Sequence, residues 1–347
     1  MVHRLNRSLV KRGLRLIKRS TLGAAKRRID QYYDREYDPA QPFAEQPVDP
    51  ASLSYFRAEN FPSAGPNPWL DQPDALAQIK EKLKGGLISE EEARLCQYWY
   101  QRGYIILSRL IEPELLDEVW RAYEEAISKG IVKLQLEKVS EDDSLPGRYL
   151  DPHLKVPALC KVLRHPRILH YVRLLMGREP APFQTITSYK GSQQGEHSDS
   201  IHMTTYPLGY LAAAWVAFED IHPDSGPLVY YPASHRLPYV FSEDVGISTD
   251  DFKKRGYAPY HQRYEPRIKE LISEHGLQAH YFQAKKGDVL IWHANLIHGG
   301  SKRRDLALSR RALVCHYFAK GALCYHDLAS IRSRPFTGTC LLRDHNA

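Results

Sequence analysis

The sequence predicts a mainly β, antiparallel sandwich or barrel preceded by a set of helices. Three observations carry that prediction. From residue 182 the apolar residues recur with period two, in short runs broken by turn signals such as Pro223-Asp-Ser-Gly226. Between residues 76 and 177 the period is mostly helical and is punctuated by capping signals. No internal repeat or low-complexity tract interrupts either part. At 347 residues the chain can bury a full core, and 43% hydrophobic with 26% charged residues is the balance of a soluble globular protein.

The helical half is read from its ends. Ser89-Glu-Glu-Glu92 is a capping box, opening a helix that runs to Arg102. Gly103-Tyr-Ile-Ile-Leu-Ser108 then reads as a strand. Glu112-Pro-Glu-Leu-Leu-Asp-Glu-Val-Trp120 starts another helix, with proline and acids in its first turn. A helix over 165–177 is closed by Gly177. In the second half, Gly209–Phe218 is the longest apolar run; it is half the length of a membrane span and reads as a core strand. One more helix is expected at 263–275.

Ahead of this body lie two segments of different character. Residues 1–34 form a basic arm and residues 35–75, with eight prolines, an extended linker or strap; the folded domain is expected over 76–347. Residues 1–30 carry ten Lys/Arg against one acid, Asp30, so a formal charge of +7 for the whole chain leaves −2 for everything else. The body therefore gives no compositional argument for nucleic acid. On a helical wheel Val2, Leu5, Leu9 and Leu16 share one arc while Arg4, Arg7, Lys11, Arg15 and Lys18 fill the other side. Such an arm suits peripheral contact of residues 1–28 with an anionic membrane, a partner surface, packing on its own body, or a targeting segment. Five cysteines without a C-x-x-C pair disfavour a disulfide framework or structural zinc and fit a reducing, cytoplasmic setting.

The chemistry is concentrated in GEHSDSIHM, residues 195–203. On a strand, His197 and Asp199 face one side and Ser198 the other. One imidazole and one carboxylate make two-thirds of the facial triad that holds non-haem Fe(II) with open positions. A His–Asp hydrogen bond within a strand would have the same sequence, so H-x-D alone leaves both readings open. A second signal is Lys286-Gly-Asp-Val-Leu-Ile-Trp-His-Ala-Asn-Leu-Ile-His-Gly-Gly-Ser301, a strand and glycine-rich turn ending at His298. Arg310-Arg311 then opens an apolar strand; the two arginines point to opposite faces, so only one can clamp a dicarboxylic acid through a bidentate guanidinium.

These pieces together resemble the phytanoyl-CoA dioxygenase family of Fe(II)/2-oxoglutarate oxygenases. The matching stretches are GSQQGEHSDSIH, AAWVAFEDIHPDSGPLVYYPASHRLPY, KGDVLIWHANLIHGGS and RRALVCHYF, with RGYIILSRLIEPELLDEVW and HPRILHYVRLLMG upstream, covering residues 76–320. The resemblance implies an α+β fold with a mainly β core, a double-stranded β-helix (jelly-roll, cupin-like) with flanking N-terminal helices. It implies Fe(II) held by His197, Asp199 and His298, with 2-oxoglutarate and O2 as co-substrates. It further implies Arg310 on the far carboxylate of the keto acid, Trp215 in its pocket wall, and Ser301 as a hydrogen-bonding partner, although the extra glycine in HGGS shifts that match by one residue. Asp199, where a halogenase would carry glycine or alanine, implies hydroxylation.

Other residues take blander readings. His202 is a substrate contact or an ordinary hydrogen-bonded histidine; His293 is a strand or edge residue; His235 and His316 are structural. Tyr206, Tyr210, Tyr230 and Tyr231 default to core packing among 22 tyrosines. Residues 236–285 separate the two halves of the barrel and are expected to contribute a lid. Relatives of this kind act on varied small molecules, so the substrate stays open. Two other function classes compete: a non-catalytic barrel held at a surface by the arm, and a nucleic-acid demethylase, which the near-neutral body disfavours.

Overall fold

The computed structural model describes residues 67–328, apart from 135, 137, 139 and 321. The basic arm, most of the Pro-rich segment, Cys340 and the other residues beyond 328 lie outside the described residues. Helix α1 (Ala75–Lys84) is followed by α2 (Glu90–Arg102), whose Ser89 and Glu92 form the expected reciprocal cap, with Gly103 closing it in the left-handed region. Strand β1 (Tyr104–Leu107) leads to α3 (Pro113–Ser128), and α4 (Pro166–Met176) ends at Gly177 as expected. The packed body starts earlier than residue 76. Leu70 and Ala75 are fully buried, and the Trp69 indole donates to Leu174 O at the end of α4 (2.9 Å).

A six-stranded antiparallel sheet forms one wall. Its strands are β2 (Arg148–Leu150), β3 (Pro180–Ser188), β5 (Leu211–Ala217), β8 (Val289–His293) and β10 (Ala312–Ala319) with β1, in the order β1-β8-β5-β10-β3-β2. The opposing wall is a three-stranded sheet of β7 (His280–Phe282), β6 (Leu228–Tyr230) and β9 (His298–Gly300), ordered β7-β6-β9. Strand β4 (Thr204–Tyr206) pairs with β11 (Leu323–Tyr325). Two antiparallel walls facing each other, with helices on the outside of one, is the jelly-roll expected from the sequence.

Strand β5 shows why this sequence builds two layers. Every residue of LAAAWVA is buried. Ala212, Ala214 and Val216 pack outward among Leu116, Val119, Val172 and Ile168 of α3 and α4. Ala213, Trp215 and Ala217 pack inward with Leu290, Trp292, Leu228 and Phe282. Small residues on the outer face let the helices sit close to the sheet, while one large indole fills the space between the walls.

The expected lid segment divides. Its first part forms α5 (Thr249–Arg255), a single π-turn (Tyr260–Tyr264) and α6 (Glu265–Glu274), which pack against the three-stranded wall through Tyr264, Ile268 and Leu271. Its last part is β7, a strand of that wall. On the other flank, an irregular stretch ahead of β2 is fastened by Asp143. That buried carboxylate accepts from Lys190 Nζ (2.8 Å) and from Arg303 Nη1 (2.7 Å), both also buried. Among the described residues, no helix is long and apolar enough to cross a membrane.

Candidate active site

His197 and Asp199 do not sit on a regular strand. His197 makes one isolated bridge to His298, exchanging both backbone hydrogen bonds (2.8 Å each). Asp199 then begins a 3-10 turn, because its carbonyl accepts from His202 N (2.9 Å) and Met203 N (2.7 Å). The strand expectation fails there, yet the convergence it was meant to explain is present. Ligand atoms of His197, Asp199 and His298 all lie within 4.8 Å of one another, and all three residues are buried.

Their surroundings set each donor's direction. His197 Nδ1 lies 2.9 Å from Gly195 O and His298 Nδ1 lies 3.0 Å from Leu296 O. A backbone carbonyl can only accept, so both rings carry a proton on Nδ1 and turn Nε2 inward. Asp199 Oδ2 accepts from the Trp292 indole (2.8 Å), while Oδ1 faces His298 Nε2 at 3.6 Å. Burial, reinforced by His298 and His202, holds the His197 pKa well below its ordinary value. A neutral imidazole is the form a metal needs. Two imidazoles and one carboxylate suit a divalent iron.

These groups open into a cavity of about 550 Å3. Arg310 and Trp215 line it; the Arg310 guanidinium lies over the Trp215 ring (5.6 Å to the centroid) and is itself buried. It donates to Gly226 O (3.2 Å) and, at 3.4 Å, to the hydroxyl of Ser188. Burial first, then the charges of Arg148 and Arg303, push its pKa down to about 10, so it remains cationic at neutral pH. Arg311 turns the other way, towards Glu219 and Glu124. Ser301 lies outside the lining, and its hydroxyl donates to Pro227 O (2.7 Å). The hydroxyl beside Arg310 in the cavity is that of Ser188.

His202 lines the cavity with both ring nitrogens buried and without a partner, 5.5 Å from the His197 ring and 5.1 Å from that of Tyr260. Burial, then the neighbouring histidines and Arg148, keep it neutral. His293 is a strand residue, as expected, at the end of β8, and it is buried: Asp71 Oδ2 lies 3.2 Å from its Nε2, and its Nδ1 accepts from Asn295 N. Ser198 does not face solvent; it is buried against the Tyr264 hydroxyl. The structural reading of His316 needs correcting. It lines the cavity with Nε2 3.9 Å from Asp199 Oδ2, because β10 presents it on the same face as Val314. His235 and Tyr210, Tyr230 and Tyr231 are buried, as expected for packing roles.

Sequence reasoning did not single out Arg148, Ser188, Gln194 or Trp292. Trp292 lay within a quoted stretch, and its alternation with Leu290 would have turned it inward. Arg148 follows an irregular stretch and offered no pattern.

The family model described as "Phytanoyl-CoA dioxygenase (PhyH)" matches residues 99–312. Peroxisomal phytanoyl-CoA dioxygenase of Rattus norvegicus is 22% identical over 264 residues, spanning 69% of this chain and 71% of its own. Ectoine dioxygenase of Halomonas elongata is 28% identical over 178 residues, 49% of this chain and 52% of its own. Among solved structures, the non-haem alpha-ketoglutarate-dependent epimerase SnoN from nogalamycin biosynthesis superposes with a TM-score of 0.54 at 18% identity, covering 73% of this chain and 93% of its own. The apoform of EctD from S. alaskensis gives 0.53 at 20% identity, covering 74% and 87%. At such identities the superpositions speak for the fold.

Proposed function

Since the chain belongs to the phytanoyl-CoA dioxygenase family of Fe(II)- and 2-oxoglutarate-dependent oxygenases, we propose that it hydroxylates an unactivated carbon of a small-molecule or lipid-like substrate. In the balanced reaction O2 gives one oxygen atom to the substrate C–H, forming C–OH, and the other to 2-oxoglutarate, which leaves as succinate and CO2. The observation that carries this reading is the convergence of His197, Asp199 and His298 in one cavity with the buried Arg310 guanidinium.

His197 Nε2, His298 Nε2 and Asp199 Oδ1 would hold the iron, which supplies the oxygen-activating chemistry when bound. Trp292 keeps the second carboxylate oxygen occupied, so Asp199 presents one oxygen rather than two and leaves coordination positions open. Arg310 offers two N–H groups to the far carboxylate of the keto acid, and the face of Trp215 beneath it keeps water from competing. Ser188 is the hydroxyl positioned to support that clamp, whereas Ser301 is committed to Pro227. His202 and Tyr260 line the part of the cavity left for substrate.

Anaerobic reconstitution with Fe(II) and 2-oxoglutarate, followed by oxygen and a succinate assay, tests the reading. Succinate should form only with both additions. Asp199→Ala should lower turnover by at least about a thousandfold and weaken Fe(II) binding in titration calorimetry, with an unchanged circular dichroism spectrum. Metal-independent succinate, or full turnover by Asp199→Ala, refutes it.

A further inference from the structure

Resting on that oxygenase reading, we propose that Trp292, Tyr104 and Tyr98 form an electron relay from the metal site to the surface. It discharges the oxidant left behind when oxygen is activated with no substrate in the cavity. An oxidant able to open an unactivated C–H bond can also take an electron from an indole or a phenol, so the protein's own aromatic residues stand in for an absent guest.

The inner end is Trp292. Its indole N–H donates to Asp199 Oδ2 (2.8 Å) and its ring lies 4.8 Å from that of His298, so one side chain packs on two of the three metal-ligating residues. In the β1–β8 ladder Tyr104 stands directly opposite Trp292. Both turn into the cluster between the walls, while Ile105 and Ile291 turn out towards the helices. Opposed side chains of an antiparallel pair start roughly 5 Å apart. The Tyr104 ring meets that of Tyr98 edge-on at 5.3 Å, and the two hydroxyls share a hydrogen bond of 2.6 Å. Tyr104 is buried, whereas Tyr98, on α2, is 41% exposed. Three oxidisable rings thus run in series from a metal-ligating carboxylate to solvent.

Other aromatic residues around the cavity lack what this series has. A negative carboxylate on the Trp292 N–H favours an indole that has lost an electron; the Arg310 guanidinium over the Trp215 face opposes the same loss there. A phenol gives up its proton along with its electron. Burial raises the pKa of Tyr104, and burial with the Tyr104 hydrogen bond pushes that of Tyr98 up to about 12, so both are phenols and not phenolates. Tyr104 has the Tyr98 oxygen to receive its proton and Tyr98 reaches solvent, but the buried Tyr260 hydroxyl has no partner.

The electrons and protons balance. Decarboxylation of 2-oxoglutarate without substrate leaves one oxygen atom of O2 unspent, and two electrons with two protons from water convert it to water. For each electron, Trp292 is oxidised and then restored by Tyr104. The Tyr104 proton passes to the Tyr98 oxygen as the proton of Tyr98 leaves to solvent. Tyr98 then returns a hydrogen atom to Tyr104 and takes one from a donor in solution, such as ascorbate or a thiol.

The test loads the full chain with Fe(II) and 2-oxoglutarate without oxygen, mixes it with oxygen in the absence of substrate, and freezes samples at intervals for electron paramagnetic resonance. Oxidised residues are then located by peptide mass spectrometry. The wild type should give a tyrosyl signal that ascorbate quenches. In Tyr104→Phe that signal should vanish, and oxygenated Trp292 should accumulate about fivefold or more faster. Tyr98→Phe should hold a tyrosyl signal that outlives the wild-type one about fivefold or more with ascorbate present. Should Tyr104→Phe lose its circular dichroism spectrum, Tyr98→Phe, altered at a partly exposed position, decides. An undiminished signal in folded Tyr104→Phe, oxidation centred on Trp215, Tyr257 or Tyr260 in place of Trp292, or equal decay in wild type and Tyr98→Phe overturns the inference. A wild type that forms no iron–2-oxoglutarate complex, read by its absorption, overturns the oxygenase reading and this inference with it. A complex that consumes no oxygen without substrate, or consumes it and shows no tyrosyl signal, overturns this inference alone.

Discussion

The inner and outer halves of the cavity are finished to different degrees. In the inner half each group has an orienting partner, although Arg310 Nε is left without one: a carbonyl for His197 Nδ1, another for His298 Nδ1, an indole for Asp199, a hydroxyl and a carbonyl for the Arg310 Nη atoms. In the outer half His202 has two buried nitrogens without partners, the buried Tyr260 hydroxyl has none, and Tyr257 is substantially exposed. Strand β9, the bridge that ties His197 to His298, the first residue of the 3-10 turn and the segment entering β10 build the first region; the far end of that turn and the helical segment between β6 and β7 build the second. A catalytic frame benefits from being rigid before its ligands arrive, whereas a substrate surface keeps unpaired polar atoms that only the right guest satisfies. That asymmetry is the physical form of a common chemistry combined with a private specificity.

The largest test of the contrast lies at the clamp. Arg310→Gln should raise the 2-oxoglutarate KM by about a hundredfold or more, because a buried bidentate charge is lost. Arg311→Gln, which loses only partly exposed pairs to Glu219 and Glu124, should change it less than about threefold. Steady-state succinate assays decide, and a reversed pattern would move the clamp to the other face of β10. Next in size, Trp292→Phe keeps the ring and deletes the donor to Asp199 Oδ2. Fe(II) affinity in titration calorimetry should fall about tenfold, and an unchanged affinity would show that the carboxylate is oriented without the indole. The smallest effect belongs to the outer half. His202→Phe removes two unsatisfied buried nitrogens, so the thermal midpoint of the metal-free protein should hold or rise by a degree or two. A loss of several degrees would mean that His202 is as firmly integrated as the inner residues.

The same division governs how far the sequence could be read. The capped helix at Ser89, the glycine stop at Gly177 and the core strand through Trp215 are local patterns, and local patterns survive into the fold. The ordered match of H-x-D, HGGS and the arginine pair pointed to residues that converge in space. What stayed hidden depends on pairing across distant strands. Arg148 enters the cavity because β2 registers against Ser188, and nothing within GRYL indicates that partner. His316 was assigned to packing for the same reason: its approach to Asp199 is set by β10 lying beside β3 and β5. Asp199 was expected on a strand because alternation was extended one residue too far, past the point where its own carbonyl turns the chain.

The doubled glycine after His298 governs how closely the segment ahead of His197 can lie against β9. A methyl group on Gly300 would meet the Ser192 hydroxyl and lie 2.6 Å from Gln193 N, and one on Gly299 would lie 2.9 Å from Gln194 O. Only bare backbone lets residues 192–196 run this close to β9, and Gln194 travels with them. Adding a single carbon at either glycine would press on that loop and on the backbone bridge that holds His197 beside His298. The nearness of His197 to His298 thus depends in part on two side chains that the protein leaves out.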